Sequence, residues 1–255
     1  MSSRAREYAA RVQRQEQLSP HLVRLVLEID EDFTSTGVPD EWVGLVVPGQ
    51  YQVRYYTVRA VAPGELVVDV VLHEVGLVTE WVSAGCTGQE VTVSEPKGSF
   101  AMPEDAAWLM LVGDLTALPA MARIAETIEV PTRLWSEVPD PELRSGYLPE
   151  RAQVEWLERP SDGSRLAEVV QALEWPAGDG YFWMAGESAQ MRAIRKHLMR
   201  DRGLPSTAYD VMGYWRAAAA RQPRAVDPGP IWQAGKAAGK SDEQIWADYD
   251  RAQQA

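Results

Sequence analysis

The apolar residues of this chain change rhythm at about residue 104, and that change restricts the fold more than any other feature. Up to that point they come in short alternating runs punctuated by Gly and Pro. "HLVRLVLEI" puts Val23, Leu25, Leu27 and Ile29 on one face and Arg24, Val26 and Glu28 on the other, because successive side chains of a strand point to opposite faces. "YQVRYYTVRA", "LVVDVVLH" and "QEVTVSEP" repeat the theme, separated by "APGE" and "AGCTGQ". Short strands so spaced, with little helical periodicity, predict a closed antiparallel barrel.

Past residue 104 strands alternate with helices. "AWLMLV" is apolar without alternation, as in a strand buried on both faces. "ALPAMARIAETIE" follows as a helix, with Thr116 as N-cap, Pro119 in the first turn and an apolar stripe of Leu118, Met121, Ala122, Ala125 and Ile128. "TRLWSEV", "AQVEWLER", "GYFWMAG" and "TAYDVMGYW" read as further strands. "SRLAEVVQAL" and "ESAQMRAIRKHLMRDRG" read as helices, the second ending at Gly203. Such alternation implies a parallel sheet. The fold class is therefore β plus α/β with two domains: an N-terminal antiparallel Greek-key β-barrel over 1–103 and a C-terminal α/β domain with a parallel sheet over 104–217. Residues 218–255 read as a linker, "AAAARQPRAVDPGP", and a terminal helix, "SDEQIWADYDRAQQA". Ser241 and Gln244 are spaced as its capping box, with Ile245, Trp246 and Tyr249 as a docking face.

Composition narrows the function. The net charge of −12 argues against nucleic-acid binding and against docking on anionic lipid. No apolar run is long enough for a membrane span, and "MSSRAREYAARVQRQEQ" lacks the apolar core of a signal peptide, so a cytoplasmic location is expected. Cys86 is the only cysteine, which excludes an internal disulfide and a cysteine-based metal cluster. His21, His73 and His197 are far apart in sequence without ligand spacing, so no metal site is expected.

"RYYTVR" is the stretch that carries chemistry. Alternation sets Arg54 and Tyr56 on one face and Tyr55 and Thr57 on the other. A guanidinium beside a phenol ring suits a ligand with both a phosphate and a flat aromatic system; an exposed amphipathic strand is the bland alternative. Gly113, Asp114 and Thr116, and likewise Gly186, Glu187 and Ser188, stand where a strand gives way to a helix. Free N–H groups there favour phosphate or carbonyl oxygens, although ordinary capping accounts for such residues too.

"VRYYTVR", "VDVVLH", "SEPKGSF", "LVGDLTALPA", "WMAGES" and "MGYWR" occur in the order that resembles the siderophore-interacting protein family. These are FAD-dependent ferric-siderophore reductases of the ferredoxin-reductase-like superfamily, and the resemblance runs over about residues 11–216. It implies an FAD-binding barrel, an α/β domain for NAD(P)H, and a ferric siderophore as substrate. By resemblance Arg54 holds the flavin pyrophosphate, Tyr56 stacks on the isoalloxazine and Thr57 meets the flavin edge. His73 lies toward the adenine and phosphate side, and Thr116 near the ring and the incoming nicotinamide. Gly186 and Glu187 match the second strand end of the nucleotide pocket, while Tyr214 and Trp215 match the aromatic pair beside the flavin. Val58, Gly76, Thr79 and Ala117 complete the implied cofactor-binding set. Electron transfer through FAD needs no acid–base side chain. Arg59 and Arg216 are the candidates for a basic mouth that would receive an anionic siderophore. A monomer is expected.

Two departures from the family pattern stand out. "HEVGLVTEW" keeps Gly76 and Trp81 but has Leu77 and Val78 where a Pro-Ala pair is usual, and "GDLT" has Leu115 in place of an acid. "WSEVPDPE" carries no arginine for a 2′-phosphate and leans toward NADH. A flavin reductase with another acceptor, a ferredoxin-driven reductase and a non-catalytic siderophore-binding module are the alternatives.

Overall fold

The computed structural model describes residues 6–50, 52–73, 76–160, 163–216, 228–240 and 244. Six strands, β1 (Glu7–Ser19), β2 (Leu22–Ile29), β3 (Trp42–Val46), β4 (Arg54–Ala62), β5 (Glu65–Val71) and β6 (Glu90–Ser94), close an antiparallel barrel in the order β1-β2-β5-β4-β3-β6. β3, β4 and β5 are neighbours in sequence, and the chain returns through helix α1 (Leu77–Ser83) to lay β6 beside β3. That is Greek-key connectivity. The face expected to turn inward on β2 does so, packing with Val12, Val43, Val58, Leu66, Val68 and Val70. β1, β3 and α1 were not expected. β1 commits only Tyr8, Ala10 and Val12 of its thirteen residues to the core, so the stretch reads as polar.

The second half is a parallel sheet of β7 (Leu109–Asp114), β8 (Thr132–Glu137), β9 (Gln153–Leu157), β10 (Tyr181–Glu187) and β11 (Tyr209–Trp215), in the order β11-β10-β7-β8-β9. Helix α2 (Leu118–Thr127) covers one face, burying Met121 and Ile124 against Leu109, Leu111 and Trp183. α3 (Leu166–Ala172) and α4 (Ser188–Lys196) cover the other with Leu166, Val170 and Ile194 against Met110, Val112 and Phe182. Both faces of β7 are thus buried, as its unbroken apolar run requires. Strand order reverses between β7 and β10, which opens a crevice at the carboxyl ends of the strands.

Local expectations are corrected in three places. Thr116 is not the N-cap of α2: Ala117 is, and the Thr116 hydroxyl turns back to Asp114. α4 gives way to a π-helical turn over His197–Asp201 before Gly203 reverses the chain at φ +66°. The segment read as a linker ends in helix α5 (Pro228–Ala237), whose prolines fall in the first turn, where a missing N–H costs nothing. The helix expected over 241–255 lies outside the described residues, Gln244 excepted.

Ion pairs and a shared apolar cluster join the two halves. Arg123 of α2 reaches Glu41 at 2.8 Å and the Val58 carbonyl at 2.9 Å. Glu41 is buried and also accepts bonds from Ser35 and Thr36; burial pushes its carboxyl up, but those donors outweigh it and hold it below its ordinary range. Leu22 of the barrel packs with Leu115, Leu118, Val138 and Leu143.

Candidate functional site

The carboxyl ends of β7, β8 and β11 and the chain just past β9 meet the barrel in a cleft. Asp114, Leu115, Thr116, Glu137, Arg159 and Trp215 line it from the sheet, and His21, Val71, Leu72 and His73 from the barrel. Strand ends of a doubly wound sheet are where such folds hold nucleotides.

Asp114 organises the sheet wall. Its Oδ1 accepts from the Thr116 amide at 2.8 Å and hydroxyl at 2.5 Å, and its Oδ2 from the Trp215 indole N–H at 2.6 Å. One carboxylate thereby fixes the start of α2 and the end of β11. Burial pushes the Asp114 carboxyl up, against the pull of these donors. Glycines make the node possible. A Cβ on Gly186 (φ +154°) would lie 2.8 Å from Asp114 Oδ2, and one on Gly113 would lie 2.5 Å from the Ala117 Cβ. Burial likewise raises Glu137, which accepts from the Arg165 amide at 2.7 Å. The Arg159 guanidinium stands 5.9 Å from the Trp215 ring and makes no hydrogen bond to the described residues. Desolvation pushes the His73 imidazole down, and the Asp114 carboxylate pulls it the other way.

The barrel wall continues from His73 to the start of α1, where the Thr79 hydroxyl accepts from the His73 amide at 3.2 Å. β4 and β5 are antiparallel with Val58 opposite Val68, so the start of β4 flanks the end of β5. Arg54 and Tyr56 therefore share this end of the barrel with His73, Gly76 and Thr79. Tyr56 is half-buried against the core, and burial raises its hydroxyl, the Arg54 charge opposing. α1 begins at Gly76 without a side-chain cap. Its first N–H groups are orphans that an anion can satisfy. Val78, a departure from the usual small pair, is buried in the barrel core and leaves those N–H groups clear. A guanidinium beside a flat ring suits a ligand with both a phosphate and a flat aromatic system, so the residues fit FAD.

Thr57 is buried, and the buried Tyr214 hydroxyl lies against it, raised by burial. This brings the barrel and C-terminal aromatic sets together. Other sequence expectations are placed elsewhere. Val58 is fully buried; its amide donates to the Glu41 carbonyl within the barrel, and its carbonyl accepts from Arg123 across the junction, so both polar groups are taken. Glu187 is buried as the N-cap of α4, accepting from the amides of Ala189 and Gln190. Arg59 is not at the cleft: it forks onto Glu126 at 2.8 and 2.5 Å and lies over Tyr147, lining a second pocket with Arg24. A bulge between Val58 and Ala60 falls at this residue. Arg216 is exposed just past β11.

His21, Glu137 and Arg159 were missed. Arg159 could have been found, since it stands two residues past β9 and the carboxyl ends of parallel strands carry ligands. Among the described residues no group of three His, Cys, Asp or Glu side chains could hold a metal ion, and no helix is long and apolar enough to cross a membrane.

A barrel with an anion-ready end, set against the strand ends of a parallel sheet, defines a two-domain flavoprotein fold of the ferredoxin-reductase type. Residues 48–100 match the siderophore-interacting FAD-binding domain, and residues 106–218 match the siderophore-interacting protein domain. The chain belongs to the siderophore-interacting protein family. It is 29% identical over 178 residues to a ferric vibriobactin reductase of Vibrio cholerae, covering 67% of this chain and 65% of that one. It is 26% identical over 162 residues to an NADPH-dependent ferric-chelate reductase of Escherichia coli, covering 60% and 61%. The solved siderophore-interacting protein of Acinetobacter baumannii superposes with a TM-score of 0.74 at 21% identity, over 91% of this chain and 99% of that one. That likeness bears on the fold.

Proposed function

We propose that the protein is an FAD-dependent reductase that takes electrons from a nicotinamide dinucleotide and reduces ferric siderophores to release Fe(II). The observation that carries this reading is the cleft itself, where the end of an FAD-binding barrel meets the strand ends of the sheet. FAD, when bound, supplies the conversion of a two-electron hydride into single-electron transfers to iron.

The chain's own residues have separable tasks. Arg54 and the uncapped start of α1 bind phosphate oxygens, and Tyr56 offers its ring to the flavin. Asp114 positions Trp215 and Thr116, so the wall meeting the nicotinamide is set before the ligand arrives. Arg159, an exposed cation at the end of the third sheet strand, suits a 2′-phosphate and turns the expectation toward NADPH. The E. coli relative named as NADPH-dependent supports that preference. Leu115, where the family has an acid, is 4% exposed in the cluster joining the two halves, a packing role that gives no reason to favour a ferredoxin donor. With Arg59 committed to Glu126, Arg216 remains the candidate cation for the siderophore.

The test is the visible spectrum of the purified protein during anaerobic addition of NADPH or NADH. Flavin bands that bleach, followed by Fe(II) capture from a ferric siderophore, support the reading. Bands that persist with both nucleotides remove the nicotinamide donor, and absent bands after FAD addition remove the enzyme.

A further inference from the structure

His21 stands in the turn between β1 and β2, 119 residues in sequence from the carboxylate that orients it. That carboxylate, Asp140, is buried in the loop after β8 and takes three hydrogen bonds from the barrel turn. The Ser19 hydroxyl donates at 2.5 Å, the His21 amide at 3.1 Å and the His21 ring through Nδ1 at 2.6 Å. Burial pushes the Asp140 carboxyl up, yet these donors outweigh it and hold it below its ordinary range. It is therefore an ionised, acceptor-only group, and His21 Nδ1 must carry a proton. The ring is half exposed on the cleft wall, and Nε2 makes no hydrogen bond to the described residues.

The surroundings indicate what Nε2 meets. Facing the cleft with His21 are Arg159 from beyond β9, a permanent cation, and His73 from the end of β5, which burial holds toward its neutral form. The acids there, Asp114 at the end of β7 and Glu137 at the end of β8, are buried and pushed toward their neutral forms. A group so placed favours an anion.

We propose that His21, as an imidazolium held in place by Asp140, donates its Nε2–H to a phosphate oxygen of the pyridine dinucleotide, across the cleft from Arg159. This rests on the nicotinamide donor proposed above. A singly protonated ring, with its proton on Nδ1 toward Asp140, turns a lone pair toward the phosphate. The contact therefore exists only when both ring nitrogens are protonated, and dinucleotide affinity falls as pH rises.

Calorimetric titration of NADP⁺ and NAD⁺ into the FAD-loaded protein, at about pH 6 and about pH 8.5, tests this without turnover. For the wild type the dissociation constant of NADP⁺ is expected to rise about tenfold across that range, the loss of one charge-assisted hydrogen bond. His21→Ala is expected to bind about tenfold more weakly at the lower pH and to lose most of the pH dependence. His21→Arg supplies a donor that does not titrate, and should bind tightly at both pH values. Ser19→Ala removes another bond to Asp140 without touching the ring, and is expected to stay within about twofold of wild type. Equal affinity of wild type and His21→Ala at the lower pH overturns the assignment, as does a Ser19→Ala loss as large as that of His21→Ala. Failure of the wild type to bind either nucleotide overturns the donor reading, and the His21 contact with it.

Discussion

The two sides of the junction between barrel and sheet use the same residue types to opposite ends. On the α2 side Arg123 and Arg59 reach across to Glu41 and Glu126, and within the barrel Arg24 is forked onto the buried Asp69 at 2.8 Å. In the cleft, the Arg159 guanidinium makes no hydrogen bond or ion pair to the described residues: it lies 5.9 Å from the Trp215 ring, and Asp114 and Glu137 act on it only at a distance. A cation satisfied by the protein holds the fold together, whereas one left to solvent is available to a ligand. Charge alone does not separate the two, but partnership does.

That contrast can be broken by mutation, and the largest effect should fall on the paired side. Arg123→Ala strands Glu41 without its cation and is expected to cost about 3 kcal/mol in urea unfolding, with nucleotide affinity of the folded fraction unchanged. Gly186→Ala forces a Cβ against Asp114 at 2.8 Å in an unfavourable backbone region, and should cost about 2 kcal/mol, read as a lower melting temperature. On the ligand side, Arg54→Ala should weaken FAD about tenfold in fluorescence titration of the apoprotein while stability changes little. Arg159→Ala should shift unfolding by less than about 0.5 kcal/mol, yet raise KM for NADPH more than KM for NADH at unchanged kcat. If Arg159→Ala unfolded the protein and Arg123→Ala did not, the comparison would be reversed.

Acid sharpens the same contrast with a smaller effect. The folded state holds Glu41 below its ordinary value of 4.5, so its stabilisation is complete above that value and is lost as pH falls through the folded one. The melting temperature should therefore drop below about pH 4.5, and Glu41→Gln should flatten that slope.

What the sequence disclosed follows from the range of each interaction. The alternation of β2 and the unbroken run of β7 are local, and both elements formed as read. β1 escaped because alanine and long polar side chains carry little amphipathic signal, and its pairing to β2 and β6 is what holds it. In the site, Arg54 and Tyr56 were legible because one strand carries both. Arg59 was misassigned because its partner, Glu126, lies on a helix 67 residues away. The His21–Asp140 pair had no local trace; only tertiary folding brings the two residues together.

Leu115 belongs at once to the cleft wall and to the apolar cluster that Leu22, Leu118, Val138 and Leu143 form between the two halves. Widening the opening at that point would pull apart the core on which folding depends. The width of the cleft at Leu115 is accordingly fixed at the moment the chain folds, by the same contacts that join barrel to sheet.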